Sequence, residues 1–151
     1  MPALVWVYVD VVCDLFHPGH IEFFQNARAL GDRLIVGVNG DADVATYKPA
    51  PIMSFDERRL MVEACRYVDR VLPASAPLHC TPAFLDEIGA AFCVHGDDMD
   101  AAELAFWYGA LIPSGRLRTV RYSARASTRD IVARVVDRYR AGQLRVRPEP
   151  V

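Results

Sequence analysis

The sequence lacks the features that mark membrane-spanning and secreted proteins. No apolar run approaches the roughly 18 residues that a membrane-spanning helix needs. The first apolar run, Ala3–Val9, has no basic residues before it and meets Asp10 at once, so we do not expect a signal peptide. The four cysteines show no C-x-x-C spacing, which argues against a structural zinc site and a disulfide framework. We therefore predict a cytoplasmic protein with reduced thiols and no membrane partner.

Two common nucleotide-binding loops are also absent. The sequence contains neither G-x-G-x-x-G nor a Walker-type loop, so the usual dinucleotide and P-loop interpretations fail. Lysine is almost absent as well, because Lys48 stands alone against 16 arginines. Genome composition alone can produce that bias, so it indicates no function by itself.

The composition is that of one folded domain with an uneven distribution of charge. The chain has 151 residues, of which 52% are apolar and 24% charged. Residues 1–115 carry 7 basic and 16 acidic side chains, whereas residues 116–151 carry 10 basic and 3 acidic ones. A basic end suits nucleic acid, a membrane surface or a small phosphate ligand. Since this end lacks interleaved exposed aromatic residues, we expect no nucleic-acid partner.

Apolar runs alternate with amphipathic stretches along the chain, which predicts alternating strands and helices. Strands are expected at Leu4–Val9, Arg33–Val38, Val68–Leu72, Phe92–His95 and Leu117–Tyr122, and helices after His17, Ser54, Thr81, Asp100 and Ser127. Short connections between such elements form βαβ units. We therefore expect an α/β fold with a doubly wound, five-stranded parallel sheet in a single domain over residues 1–142, followed by a tail over residues 143–151.

The residues after the first strand are the strongest candidates for a ligand site, because doubly wound sheets bind ligands beyond the carboxyl ends of their strands. The segment Asp14-Leu-Phe-His17-Pro-Gly-His20 occupies this position. Its two imidazoles straddle a predicted helix start, where free N–H groups and the helix dipole favour phosphate. Gly19 allows a close approach of the backbone. Phosphate binding is one interpretation; a chance pair, or a metal pair completed by Asp14, are the others.

The H-x-G-H motif after a first strand resembles that of the nucleotidylyltransferase superfamily. The chain is most similar to the cytidylyltransferases that act on phosphoethanolamine, phosphocholine and glycerol 3-phosphate. The similarity covers about residues 5–138 and includes Gly31–Val38, Ser54–Val62, Arg66–Val71, Phe92–Asp98 and Ser127–Ile131. Phe92–Asp98 and the Pro-rich loop after Lys48 look most like the ethanolamine branch. The resemblance implies a Rossmann-like sheet.

The resemblance also implies an activity. The expected reaction moves CMP from CTP to a small phosphorylated alcohol such as phosphoethanolamine, or to a hydroxyalkylphosphonate, and releases pyrophosphate. Magnesium should bridge the phosphates, with no dedicated protein ligands. The segment Arg66–Val71 is expected at a homodimer interface. An adenylyltransferase of the same superfamily, or a catalytically weak module that binds nucleotide or nucleic acid, are the alternatives.

Individual residues acquire expected roles from the same resemblance. His17 and His20 should hold the CTP phosphates and stabilise the transition state, with Lys48 also on phosphate and Asp14 orienting the loop. The nucleotide contacts expected are Val11, Val12, Cys13, Asp14, Gly19, Asp41, Arg66, His95, Gly96, Asp97, Arg121, Ser127 and Thr128. The acceptor contacts expected are Asp98, Trp107 and Tyr122, with Asp100 and Tyr108 as further partners for an ammonium group. Arg58 matches a family arginine, although a solvated helix face explains it as well.

The sequence departs from the family pattern at two places. The family has glycine, a small residue and an aromatic before Asp14, where this chain has Val11, Val12 and Cys13, so the turn must differ locally. In the R-T-x-G-x-S-T-T signature, Tyr122 stands at the arginine position. We predict that Arg125 replaces the missing charge as a catalytic residue, in preference to Arg121.

Overall fold

The computed structural model describes residues 3–147 and contains one sheet of five parallel strands. The strands are β1 (Trp6–Val11), β2 (Arg33–Val38), β3 (Arg70–Val71), β4 (Phe92–Gly96) and β5 (Leu117–Val120). The helices within the described residues are α1 (Pro18–Arg28), α2 (Asp41–Val44), α3 (Phe55–Glu63), α4 (Pro82–Ile88), α5 (Ala101–Tyr108) and α6 (Thr128–Arg140). The strand order β3-β2-β1-β4-β5 confirms the doubly wound, Rossmann-like sheet. The chain winds outward in one direction from β1 to β3 and in the other from β4 to β5, so the winding reverses between β1 and β4.

Alternating side chains of the central strands build a core on each face of the sheet. Val7 and Val9 of β1 point into one buried cluster, and Tyr8 between them points into the other. Phe24 of α1 packs in the first cluster and Leu85 of α4 in the second. The sheet is therefore covered on both faces, as its continuous apolar strands predict. All four cysteines are buried and free.

Several element boundaries differ from the prediction. β1 starts later and runs through Asp10 to Val11, where its register pairs Val11 with Val38. β5 ends at Val120, not Tyr122, because the Tyr122 N–H donates to the Asp97 carboxylate at 2.7 Å. The third strand is only two residues long, and the short helix α2 was not predicted. These changes move Asp10 into the sheet and Tyr122 into a loop.

The last helix packs against the domain only by its first turns. Farther along it, Val135 is 50% and Tyr139 61% exposed. Residues 143–147 form no helix or strand, and the rest of the predicted tail lies outside the described residues. The division at residue 142 remains a prediction. None of the helices within residues 3–147 has the length and apolar character needed to cross a bilayer.

Candidate functional site

A cleft of about 970 Å³ opens at the carboxyl ends of β1 and β4, where the winding reverses. It brings together most of the residues that the sequence singled out: Val11, Val12, Cys13, Asp14, His17, Gly19, His20, Lys48, His95, Gly96, Asp98, Trp107, Tyr122, Ser127 and Thr128. Seven others do not line it: Asp41, Arg58, Arg66, Asp97, Asp100, Arg121 and Arg125. The motifs therefore converge on one site, although not with every side chain.

His17 and His20 cap the start of α1 with their own side chains. The Nδ1 atom of His17 accepts the Gly19 N–H at 3.1 Å, and that of His20 accepts the His17 N–H at 3.2 Å. This reciprocal arrangement is a capping box built from two histidines. Because each Nδ1 accepts a hydrogen bond, the proton of each neutral ring is on Nε2. Both rings, stacked with centroids 3.8 Å apart, therefore keep one N–H donor for a ligand.

Burial keeps these two rings uncharged at neutral pH. Burial lowers the pKa of His17, and the Asp130 carboxylate opposes that shift only in part. For His20, burial together with the neighbouring His17 lowers the pKa to about 3. Burial also lowers the pKa of Lys48, against the attraction of Asp14. The two histidines are therefore neutral hydrogen-bond donors.

The start of α6 lies directly against the start of α1. The Thr128 hydroxyl donates to the Asp14 carbonyl at 2.9 Å, and its Oγ1 atom lies 3.4 Å from His17 Nε2. Ser127 caps α6, since its hydroxyl accepts the Asp130 N–H at 3.1 Å. Two helix N-termini, with their free N–H groups and positive dipole ends, therefore meet at the cleft, which favours a phosphate chain.

Gly19 is required for this meeting of helices. A Cβ atom at Gly19 would lie 2.6 Å from the Ala126 carbonyl oxygen and 2.9 Å from the His17 ring. We expected the missing side chain of Gly19 to let a ligand approach the backbone. In the structure it makes room for the loop before α6, at the Ala126 carbonyl.

The loop between β1 and α1 contains two residues other than glycine in the left-handed backbone region. Cys13 has φ +56° and Leu15 has φ +50°, a left-handed conformation that side chains other than glycine disfavour. The Asp14 carboxylate between them accepts the N–H groups of Ile52 and Met53, both at 2.9 Å. Asp14 thus holds the Pro-rich loop against the turn.

Arg58 supports the same turn from beneath, and the alternative of a solvated helix face is wrong. Its side chain is fully buried and donates to the Val12 carbonyl at 2.6 Å and the Met53 carbonyl at 3.1 Å. A third contact joins its Nη2 to the Asp41 carboxylate at 2.5 Å. That hydrogen bond lowers the pKa of Asp41. Asp41, expected on the nucleotide, therefore serves Arg58 instead.

The other predicted residues outside the cleft have different surroundings. Asp97 accepts the Tyr122 N–H, and Arg66 lies exposed with its guanidinium 6.0 Å from the Tyr67 ring. Arg125 pairs with Glu22 through Nε at 3.1 Å, with 76% of its side chain exposed on the outer side of α1. Arg121 is exposed as well. Motif spacing places a residue near the site but does not fix the direction of its side chain.

The end of the cleft away from the helix starts combines carboxylates with aromatic rings. The Tyr108 hydroxyl donates to Asp10 at 2.6 Å. Burial raises the pKa of Asp10, and this hydrogen bond offsets only part of that rise. The Trp107 ring lies 4.9 Å from that of Tyr47, centroid to centroid. Asp98 adds a second carboxylate. Carboxylates and aromatic faces together suit an organic cation.

The lining residues that the sequence analysis missed include Asp10, Tyr47 and Arg129. Asp10 ends the apolar run of the central strand, Tyr47 precedes the only lysine, and Arg129 follows Ser127-Thr128 directly. Each had a visible signal, namely its position beside a residue already chosen. Within residues 3–147, no group of three or more His, Cys, Asp or Glu side chains is arranged to hold a metal ion.

Comparison with known proteins gives consistent matches. Residues 12–134 match the family model described as Cytidylyltransferase-like. Ethanolamine-phosphate cytidylyltransferase of Dictyostelium discoideum is 38% identical over 131 residues, which are 86% of this chain and 36% of that protein. The mouse (Mus musculus) enzyme of the same name is 38% identical over 134 residues, 88% of this chain and 33% of that protein.

Two further matches extend the comparison. Human (Homo sapiens) choline-phosphate cytidylyltransferase A is 36% identical over 138 residues, 89% of this chain and 37% of that protein. The solved structure of a lipopolysaccharide core biosynthesis protein from Thermoplasma volcanium GSS1 superposes with a TM-score of 0.66 at 22% identity. The superposition covers 80% of this chain and 99% of the solved chain, and it supports the fold alone. The chain spans about a third of the length of the curated relatives it matches.

Proposed function

Since the chain belongs to the cytidylyltransferase-like family, we propose that it transfers CMP from CTP to a small phosphorylated alcohol and releases pyrophosphate. Phosphoethanolamine is the first candidate acceptor, because relatives bearing that name match most of this chain. A hydroxyalkylphosphonate is the other candidate, since Tyr122 stands where the family signature has arginine.

The observation that carries this proposal is the convergence of His17, His20 and Thr128 at two helix starts. Their hydrogen bonds already fix which ring nitrogen carries the proton and hold the Nε2 atom of His17 within 3.4 Å of Thr128 Oγ1. A phosphate chain bound here receives N–H donors that need no rearrangement. Donors preorganised in this way stabilise charge that builds on a leaving pyrophosphate.

The reaction needs little covalent help from the protein. An oxygen of the acceptor phosphate attacks the α-phosphorus of CTP, while the bond from that phosphorus to the bridging oxygen of the β-phosphate breaks. The electron pair leaves with pyrophosphate. The attacking oxygen is already anionic, so no general base is required. Catalysis then depends on alignment and on stabilising the departing charge.

The acceptor would occupy the end of the cleft built by Asp10, Asp98, Trp107 and Tyr108. An ammonium group there meets two carboxylates and aromatic faces, which favour a cation. Burial raises the pKa of Asp10, so an ammonium partner would restore its charged form. This arrangement favours phosphoethanolamine over an acceptor without an ammonium group, such as glycerol 3-phosphate.

Magnesium would enter with CTP as a counter-ion of the triphosphate, since this ion usually keeps its waters and binds substrate phosphates. Asp130, in the first turn of α6, lines the cleft, and within residues 3–147 no backbone N–H donates to its side chain. It is the residue we propose for any direct or water-mediated contact. A homodimer through Arg66–Val71, on the surface beside α3, also remains a proposal.

An acceptor series tests the assignment of the two ends of the cleft. With CTP fixed, we expect pyrophosphate release to be faster with phosphoethanolamine than with glycerol 3-phosphate or a hydroxyethylphosphonate. Asp10→Asn should raise KM for phosphoethanolamine about tenfold, the usual effect of losing a hydrogen bond to a charged group. The same change should leave KM for CTP and for glycerol 3-phosphate nearly unchanged. An equal rise for both acceptors would show that Asp10 does not recognise the ammonium group.

A further inference from the structure

The cleft has few cations for the charge that it must accept. CTP and pyrophosphate are strongly anionic, yet burial keeps His17 and His20 neutral. Among the described residues that line the cleft, Lys48 and Arg129 are the only lysine and arginine. Although the sequence is rich in arginine, Arg129 supplies the one guanidinium that lines the cleft among residues 3–147.

Arg129 lines the cleft and, unlike Arg58 and Arg125, has no side-chain partner among the described residues. Arg58 is engaged with Asp41, and Arg125 with Glu22. Across residues 3–147, no carboxylate or backbone oxygen forms an ion pair or hydrogen bond with the Arg129 side chain, which is exposed at the mouth of the cleft. A free guanidinium at such a place is available to a ligand.

The position of Arg129 selects one end of the cleft. It is the second residue of α6 and follows Thr128, whose Oγ1 lies 3.4 Å from His17 Nε2. The aromatic end, with Trp107 and Asp10, is built from different elements, α5 and β1. Arg129 therefore lies with the helix starts and not with the acceptor subsite.

We propose that Arg129 binds the β- and γ-phosphates of CTP and then the departing pyrophosphate, a part that we had expected of Arg125. This inference rests on the proposed function. A guanidinium offers a planar fork that fits two phosphate oxygens at once, which the point charge of Lys48 cannot do. Arg129 would thus contribute to binding the leaving group and not the cytidine or the acceptor.

The test is direct binding measured by calorimetry, with CTP, pyrophosphate and CMP as separate probes. Arg129→Ala should weaken CTP and pyrophosphate about 10- to 100-fold, the range for a lost hydrogen bond to a charged group. CMP lacks the β- and γ-phosphates, so its affinity should not change. Arg129→Lys should restore part of the loss. Arg138→Ala, which removes an exposed arginine from the last turn of the same helix, is the matched control and should bind all three probes like wild type.

Each other outcome overturns a stated claim. Unchanged affinity of Arg129→Ala for CTP, in a wild-type protein that binds CTP, refutes the role of Arg129 and leaves the proposed function intact. Equal weakening of CTP and CMP refutes the assignment to the β- and γ-phosphates. Absence of CTP binding by the wild-type protein refutes the proposed function and this inference together.

Discussion

Replacing His17 by Asn, or His20 by Gln, should lower kcat about 10²- to 10³-fold while the protein stays folded. Asn is a favoured N-cap residue, and Gln is favoured three residues later in a capping box, so both variants keep the backbone bonds that start α1. What they remove is the Nε2–H donor of each ring. Loss of one preorganised donor to developing charge typically costs that factor in rate.

Steady-state pyrophosphate release measures the loss, and thermal unfolding by circular dichroism checks the fold. His17→Ala is the informative comparison, because it removes both the donor and the cap and should also cost about 1 kcal/mol of stability. Near-normal kcat in both His17→Asn and His20→Gln would eliminate the role of these rings in catalysis. If His17→Asn and His20→Gln lose as much stability as His17→Ala, these substitutions have broken the helix cap. Their lower kcat would then not report on the Nε2–H donors.

The pH dependence of the stability of the ligand-free protein tests independently whether His20 is buried and neutral. Burial and the neighbouring His17 lower its pKa to about 3, whereas in the unfolded chain it has an ordinary value near 6.5. Between these values the unfolded chain binds more protons, so the free energy of unfolding falls as the pH decreases, by up to about 1.4 kcal/mol per pH unit. His20→Gln lacks this group, and urea unfolding should show that its stability falls less than that of wild type between about pH 6.5 and about pH 4. Parallel curves would contradict a buried, neutral His20.

Arg58→Ala should destabilise the protein by about 3–5 kcal/mol. The Val12 and Met53 carbonyls would lose their donor, at about 1–3 kcal/mol each, and a cavity would remain beneath the turn. The turn itself contains Cys13 and Leu15 at positive φ, a conformation that persists only where its surroundings hold it. The same variant should therefore also lose activity.

Equilibrium unfolding in urea measures this effect, with the neighbouring Arg59 as the matched control. Arg59 is partly exposed and pairs with Glu63 on the helix surface, so Arg59→Ala should cost no more than about 1 kcal/mol. If Arg58→Ala fails to fold, Arg58→Lys, which retains a charge and a donor but loses the fork, should show an intermediate loss. Equal effects of Arg58→Ala and Arg59→Ala would show that the buried contacts are not what holds the turn.

The sheet and the main helices could be predicted because hydrophobic periodicity records which faces are buried. Val7, Val9 and Val36 form continuous apolar runs, and such runs belong to covered parallel strands. The ends of strands were harder to place. Tyr122 continues an apolar pattern, yet a side-chain oxygen of Asp97 takes its N–H and ends the ladder at Val120.

The site was predicted where motif and backbone coincide. His17 and His20 cap the helix start that lines the cleft, so their spacing carries the geometry. Asp41 and Arg125 failed to reach the cleft because nearer partners, Arg58 and Glu22, hold their side chains. Such pairings join residues far apart in the chain, and spacing along one motif cannot reveal them. Arg129 was overlooked although it directly follows Ser127 and Thr128, since the motif assigned roles to those two residues alone.

The central claim is that this chain joins CMP to a phosphorylated acceptor, and phosphorus NMR of the complete reaction tests it most directly. With CTP, phosphoethanolamine and magnesium, we predict a new diphosphate linkage that appears together with an equal amount of pyrophosphate. Neither should form when the acceptor is left out. Because a site that hydrogen-bonds one base rejects a base that leaves its polar groups unpaired, ATP in place of CTP should react far more slowly. Pyrophosphate formed without the new linkage, or ATP consumed as fast as CTP, would contradict the account.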